Sequence, residues 1–147
     1  MTEPVDDGHT STRSGPGKVL VAVYGVFALA ACARAGVQIA TRFDEAPLAF
    51  LLSALAGLVY VLATVMLARG TRTSRKVATV AIAVELVGVL TVGLLSMFDP
   101  AAFPDATVWS GFGSGYGFVP LVLPILGLWW LHATRPRSQA ARTTRSA

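Results

Sequence analysis

Two charged residues, Arg34 and Glu85, lie deep inside long apolar runs of the sequence. Each costs roughly 2.5–3.5 kcal/mol at the centre of a membrane-spanning helix, so both side chains are expected to face the protein interior. Gln38 follows Arg34 by one helical turn and shares its face. Such residues can relay a proton or ion, or bind a polar head group. They can equally form a buried ion pair that fixes helix register and needs no substrate.

Arg34 and Glu85 belong to runs that would cross a membrane in the same direction, so their depths can be compared. Counting from the start of each run, their heights differ by roughly 10 Å at about 1.5 Å per residue. Tilt, long side chains and a bridging water can close that gap. We therefore predict that the two are energetically coupled, directly or through one water. If they are not paired, Glu85 stands alone as an intramembrane carboxyl, and a proton relay becomes the better interpretation.

Four apolar runs must position these side chains: residues 19–41, 47–68, 77–98 and 106–131. Each is long enough to cross a ~30 Å hydrocarbon core as a helix. The second run is apolar on all sides, whereas a soluble helix needs only one apolar stripe. The chain is 54% hydrophobic, with a mean hydropathy of +0.62. The sequence therefore predicts an all-α integral membrane protein, folded as a four-helix bundle.

The charges that flank the runs alternate in sign from one side to the other. The two chain ends and the segment after the second run carry the basic residues Arg13, Lys18, Arg69, Arg72, Arg75, Lys76, Arg135, Arg137, Arg142 and Arg145. The other two segments carry Arg42 alone, against Asp44, Glu45, Asp99 and Asp105. The positive-inside rule then predicts cytoplasmic N and C termini. Topology and anionic lipid account for the net charge of +4, so we expect the lipid bilayer as partner and no nucleic acid.

Composition divides the chain into three parts. Residues 1–17 are polar and rich in Gly, Ser, Thr and Pro, which predicts a disordered cytoplasmic lead. Residues 18–134 form the predicted four-span transmembrane domain. Residues 135–147 are a basic cytoplasmic tail.

Small residues four apart predict helix-packing ridges in two of the runs. Ala49, Ser53 and Gly57 form one ridge in the second run, and we expect a packing seam there more than a pore lining. Gly111 and Gly115 would form another if the last run is helical throughout.

The last run is the least regular of the four. Pro120 and Pro124 predict a kink in a long final helix, with Trp109 at the outer membrane interface. The alternating glycines of residues 106–118 allow a second interpretation, a re-entrant loop. Such a loop is tolerated at membrane depth only where it is buried in protein or wet. We expect the kinked helix.

Cys32 follows an apolar stretch and the residues Leu-Ala-Ala, a pattern typical of a bacterial lipoprotein signal. Cleavage before Cys32 would leave three spans in the same orientation. The acidic residues of the lead and the apolar residues after Cys32 speak against lipidation. We predict an unmodified, buried thiol in an intact first helix.

No residue pattern indicates catalysis. A single cysteine excludes an internal disulfide, and His9 and His132 lie too far apart for a metal-ligand spacing. The Gly17-Lys18 pair departs from the phosphate-binding loop motif on both sides. We therefore expect no enzyme, no catalytic residue, no cofactor and no metal.

Three stretches together resemble a group of small four-span membrane proteins from actinobacteria: ARAGVQ (residues 33–38), FPDATVWS (103–110) and GYGFVPLVLP (115–124). The resemblance covers nearly the whole spanning region and leaves out both tails. It implies a location in the bacterial plasma membrane and implies no activity or site.

Two functions are compatible with these features. The first is a non-enzymatic accessory or scaffold component that packs against another membrane protein or against a second copy of itself. The second is a small transporter or channel subunit that uses Arg34, Gln38 and Glu85. A lipid-modifying enzyme is a distant third, since no acidic pair or histidine motif is present. The sequence does not indicate which small molecule, if any, the protein binds.

Overall fold

The computed structural model describes residues 15–135, and this part of the chain is helical with no strand. The long helices are α1 (Gly15–Arg42), α2 (Pro47–Arg69), α3 (Arg72–Phe98) and α4 (Val119–Ala133). Short 3-10 turns lie at Phe43–Glu45, Pro100–Ala102 and Ser110–Tyr116. The predicted all-α class is confirmed for the described residues.

The ends of α2 and α3 follow from local sequence. Pro47 occupies the first turn of α2, where its missing N–H costs nothing. Gly70 ends α2 in the left-handed conformation, and its N–H bonds to the Met66 carbonyl at 3.4 Å. Thr71 then caps α3, because its side chain accepts a hydrogen bond of 3.1 Å from the Ser74 N–H.

Three of the helices, α1, α2 and α3, are long and apolar enough to cross a membrane. The fourth apolar run does not form one helix. Its two pieces are bent by 99° relative to each other; they are Ser110–Tyr116 and Val119–Ala133. With 15 residues, α4 is about 22 Å long, which is shorter than a ~30 Å hydrocarbon core.

The predicted long, kinked final helix is therefore wrong. Gly111, Phe112 and Gly113 have φ angles of +56°, +59° and +80°, in the left-handed region that an α-helix excludes. Pro120 lies in the first turn of α4 and so causes no kink, whereas Pro124 lies inside α4.

The glycine ridge predicted in the last run is wrong for the same reason. Gly111 stands in a left-handed turn, and a Cβ added to Gly115 would have no neighbour within 4 Å. Neither residue offers a surface against which another helix packs.

Each helix packs against the next one along the chain, and α1 and α4 make few direct contacts. One side of the assembly, between α1 and α4, is therefore open. Residues 99–118, here called the connecting segment, pack mainly against α3 and α4. The segment fills the space that the short α4 leaves, and its Trp109 is among the largest fully buried side chains.

We call one end of the molecule the basic end; it carries the start of α1, the α2–α3 turn and the end of α4. The opposite, acidic end carries the α1–α2 turn and the start of the connecting segment. Of the predicted disordered lead, residues 15–17 belong instead to the first turn of α1. The rest of the lead and nearly all of the tail lie outside the described residues.

Candidate functional site

A buried carboxyl stands at the middle of α3. Glu85 is fully buried, as is Tyr24 of α1, and the Tyr24 hydroxyl donates a hydrogen bond of 2.8 Å to Glu85 Oε2. Glu85 is flanked by small residues on its own helix, Ala81 one turn before and Gly88 in the next turn. The hydrogen bond joins α1 to α3 across the interior.

The other oxygen of Glu85 has no such contact. Oε1 is buried and has no hydrogen-bond partner among residues 15–135. A buried acceptor without a partner typically costs about 1–3 kcal/mol.

A second buried pair ties α2 to the connecting segment. Trp109 Nε1 donates a hydrogen bond of 3.1 Å to the Tyr60 hydroxyl, and both side chains are buried. The tyrosines of the two pairs are neighbours, with the ring centroids of Tyr24 and Tyr60 6.2 Å apart. The pairs therefore form one cluster of four side chains, which we call the polar core: Tyr24, Tyr60, Glu85 and Trp109.

The placement of Trp109 corrects the prediction that it lies at a membrane interface. A Cβ added to Gly88 would lie 2.6 Å from the Trp109 ring, so the ring packs directly on the α3 backbone. Phe112 covers Gly93 in the same way, at 2.5 Å from an added Cβ. Gly88 and Gly93 of α3 thus admit two aromatic rings of the connecting segment.

Arg34 does not pair with Glu85. Its guanidinium donates to the Tyr116 hydroxyl at 2.7 Å and to the Ala106 carbonyl at 3.3 Å, so it holds the connecting segment against α1. The direct ion pair that the sequence predicted is not formed. Ten residues separate Tyr24 from Arg34 on α1, which is about 15 Å of helix, and the residue at the height of Glu85 is Tyr24.

Gln38 and Ser53 lie on α1 and α2, nearer the turn that joins these helices. Both are buried, and Gln38 Oε1 and Ser53 Oγ have no hydrogen-bond partner in the described part of the chain. Gln38 therefore forms no hydrogen-bonded site with Arg34 or Glu85.

The predicted ridge of α2 faces α1. Ala49, Ser53 and Gly57 are all buried, and a Cβ added to Gly57 would lie 2.8 Å from Cys32 Sγ. Cys32 itself is exposed, so the predicted burial of its thiol is wrong. Its sulfur lies at the edge of the α1–α2 seam, beside Gly57.

The sequence analysis missed the role of the tyrosines. All three in the chain, Tyr24, Tyr60 and Tyr116, form hydrogen bonds that join different elements. The positions of two tyrosines could have indicated this role, because tyrosines in membrane proteins are enriched at the membrane interfaces. Tyr24 and Tyr60 instead lie well inside their apolar runs, where each hydroxyl needs a partner from the protein.

The arrangement offers no site for a metal ion, since no group of three or more potential ligands occurs within residues 15–135. Comparison of the chain with known proteins gives no match to a family model, a curated protein or a solved structure. The resemblance to small actinobacterial membrane proteins therefore stays a prediction.

Proposed function

We propose that this chain is a multi-pass protein of the bacterial plasma membrane that serves as a non-enzymatic accessory component of a membrane complex. It would act by packing against another membrane protein or a second copy of itself. One observation carries the proposal: three pairs of polar side chains are hydrogen-bonded across different elements. Tyr24–Glu85, Tyr60–Trp109 and Arg34–Tyr116 together tie α1, α2, α3 and the connecting segment.

Such contacts support a structural role for the interior. Interhelical hydrogen bonds hold membrane helices together at about 0.6 kcal/mol each on average, and small residues let their backbones approach. The outward faces of α1, α2 and α3 carry exposed Val and Leu side chains, which suit lipid or the helix of a partner.

Charge supports an orientation with both termini in the cytoplasm. The described basic end carries Lys18, Arg69, Arg72, Arg75, Lys76 and Arg135. The basic residue of the acidic end, Arg42, lies 3.4 Å from Glu45 and 3.6 Å from Asp105. Among the described residues, the basic end thus carries six Lys and Arg residues against one at the acidic end, which is the asymmetry that the positive-inside rule counts.

Cysteine labelling tests this orientation. In a Cys32→Ala background, Thr73→Cys at the basic end should resist a membrane-impermeant maleimide in intact cells, and Ala102→Cys at the acidic end should react. Both positions are exposed in the protein, so a difference reports sidedness. Reaction at residue 73 without lysis would contradict the proposed topology.

Site-specific photocrosslinking tests the accessory role. We would place p-benzoylphenylalanine at Val26 of α1, Leu58 of α2 and Val87 of α3, which are matched in exposure at 63%, 66% and 64%. If another protein is bound to one face, we expect a discrete crosslinked adduct from that position in native membranes and none from the other two. An adduct at twice the monomer mass would identify a second copy. Lipid-only products at all three positions would contradict the proposal.

A small proton-linked transporter or channel subunit is the second candidate, and the buried Glu85 Oε1 without a partner favours it. Intramembrane carboxyls are common in proton pathways. Proteoliposomes loaded with a pH-sensitive dye test this candidate. Proton flux that Glu85→Gln abolishes and Arg34→Gln preserves would favour transport over the accessory role.

A further inference from the structure

A groove of about 640 Å³ opens between α1 and α4, on the side where these helices make few direct contacts. Its walls are almost wholly apolar and include Leu20, Leu123, Leu126 and Trp129. The volume lies within the ~300–1,000 Å³ typical of small-ligand sites. We propose that this groove binds one acyl chain of an anionic phospholipid, with the phosphate at the basic end.

The dimensions of the groove favour an acyl chain over the helix of a partner. The lining extends from Pro16 and Trp129 at the basic end to Gly117 and Val119 at the start of α4. It is therefore no longer than α4, about 22 Å, whereas a partner helix that crosses the hydrocarbon core is ~30 Å long and would extend beyond the groove. Helix-packing seams in membranes are also lined by small residues, and the walls here are formed by large ones.

The charges at the basic end of the groove favour an anionic head group. Lys18 precedes the lining residue Val19, and Arg135 follows α4; both are exposed. The guanidinium of Arg75 stacks 5.6 Å from the ring centroid of Trp130, another lining residue. Basic pockets between helices at the cytoplasmic surface are known to bind anionic lipid head groups.

Arg75 also holds this end of the groove in place. Its Nη2 donates to the Leu131 carbonyl at 3.2 Å and to Thr134 Oγ1 at 2.7 Å, at the C-terminal end of α4. The Leu131 carbonyl carries part of the negative charge of a helix end, so its contact with the guanidinium is favourable. A guanidinium has five N–H donors, which leaves others for a phosphate oxygen.

Native mass spectrometry of the full chain tests this inference, with palmitoyl-oleoyl phosphatidylglycerol and phosphatidylcholine as competing probes. The wild-type protein should retain one phosphatidylglycerol in preference to phosphatidylcholine. Lys18→Ala and Arg135→Ala should each lower that preference about fivefold, since a cation near an anionic lipid surface contributes about 1 kcal/mol.

Two tryptophan substitutions separate the groove from the general lipid surface. Val19 lines the groove and Val80 of α3 does not, although both are 63% exposed. Val19→Trp should fill the groove and lower phosphatidylglycerol retention at least tenfold, whereas Val80→Trp should leave it unchanged. Circular dichroism checks that both variants are helical; if Val19→Trp does not fold, Leu126→Trp, at another exposed position of the groove, takes its place.

Three outcomes would overturn the inference. Equal retention of the two lipids would exclude head-group recognition, and equal losses in Val19→Trp and Val80→Trp would exclude the groove. A dimer peak that Val19→Trp abolishes would assign the groove to a second copy. None of these outcomes bears on photocrosslinking at the other helix faces, so this inference can fail while the accessory role stands.

Discussion

The two sides of α1 are held by different chemistry. Against α2, the contact is a seam of small residues in which the Gly57 backbone lies directly beside Cys32. On the other side, few backbone contacts form, and long polar side chains bridge the gap from Tyr24 to Glu85 and from Arg34 to Tyr116. Close packing of two helix backbones can be predicted from the spacing of small residues in the sequence. Contacts made by long side chains depend on where distant segments fold, so they are harder to predict.

The largest expected effect belongs to the contacts made by long side chains, and among them to Trp109 of the connecting segment. Trp109→Ala removes a buried ring from the α3 surface and leaves the Tyr60 hydroxyl without its donor. Replacing a buried aromatic residue by alanine typically costs about 3–5 kcal/mol. We expect a loss of that size in the free energy of unfolding, measured by SDS titration in mixed micelles.

The matched control is Trp129→Ala, because Trp129 is exposed on α4. Its free energy of unfolding should change by less than about 1 kcal/mol. Equal losses in the two variants would show that Trp109 contributes no more than a tryptophan on the lipid surface.

A smaller effect is expected when Gly88 is replaced. The added methyl group of Gly88→Ala would lie 2.6 Å from the rigid Trp109 ring, so the connecting segment must move. Overpacking of this kind costs about 1–3 kcal/mol. A Cβ added to Gly36 of α1 meets nothing within 4 Å, so Gly36→Ala should be neutral or stabilising. In thermal unfolding in detergent, the Tm of Gly88→Ala should lie below that of the wild-type protein, and the Tm of Gly36→Ala should equal or exceed it.

A substitution in the α1–α2 seam should lower the free energy of unfolding least, and a second substitution should restore part of the loss. Gly57→Ala brings a methyl group to 2.8 Å from Cys32 Sγ, which is the end of a side chain. Cys32→Ala removes that sulfur, so the double variant should recover part of the loss seen in Gly57→Ala alone. No recovery would mean that the Cys32 backbone, 3.3 Å from the added atom, limits the approach of the helices.

The first three apolar runs predicted α1, α2 and α3 because their hydropathy, length and flanking residues all agree. The small-residue spacing of α2 also indicated the face that meets α1. The fourth run was misjudged because hydropathy does not report φ angles. Phe112 and Phe118 adopt positive φ although neither is a glycine, and the rings of Trp109 and Phe112 pack on glycines of a different helix.

The direct form of the predicted Arg34–Glu85 contact is absent because the two residues differ too much in height. The sequence already placed Arg34 roughly 10 Å nearer the acidic end than Glu85. In the structure Glu85 lies at the height of Tyr24, ten residues and about 15 Å of helix from Arg34, so the gap is larger than the sequence indicated. The Tyr24 hydroxyl was not considered as a partner for the carboxyl.

The central claim is that tyrosine, and not arginine, is the partner of the buried carboxyl. Two double-mutant cycles on the free energy of unfolding in mixed micelles test it, one with Tyr24→Phe and Glu85→Leu, the other with Arg34→Leu and Glu85→Leu. We predict a coupling energy of about 0.6–1.7 kcal/mol for the tyrosine cycle and additivity within about 0.5 kcal/mol for the arginine cycle. A larger coupling between Arg34 and Glu85 than between Tyr24 and Glu85 would contradict this account.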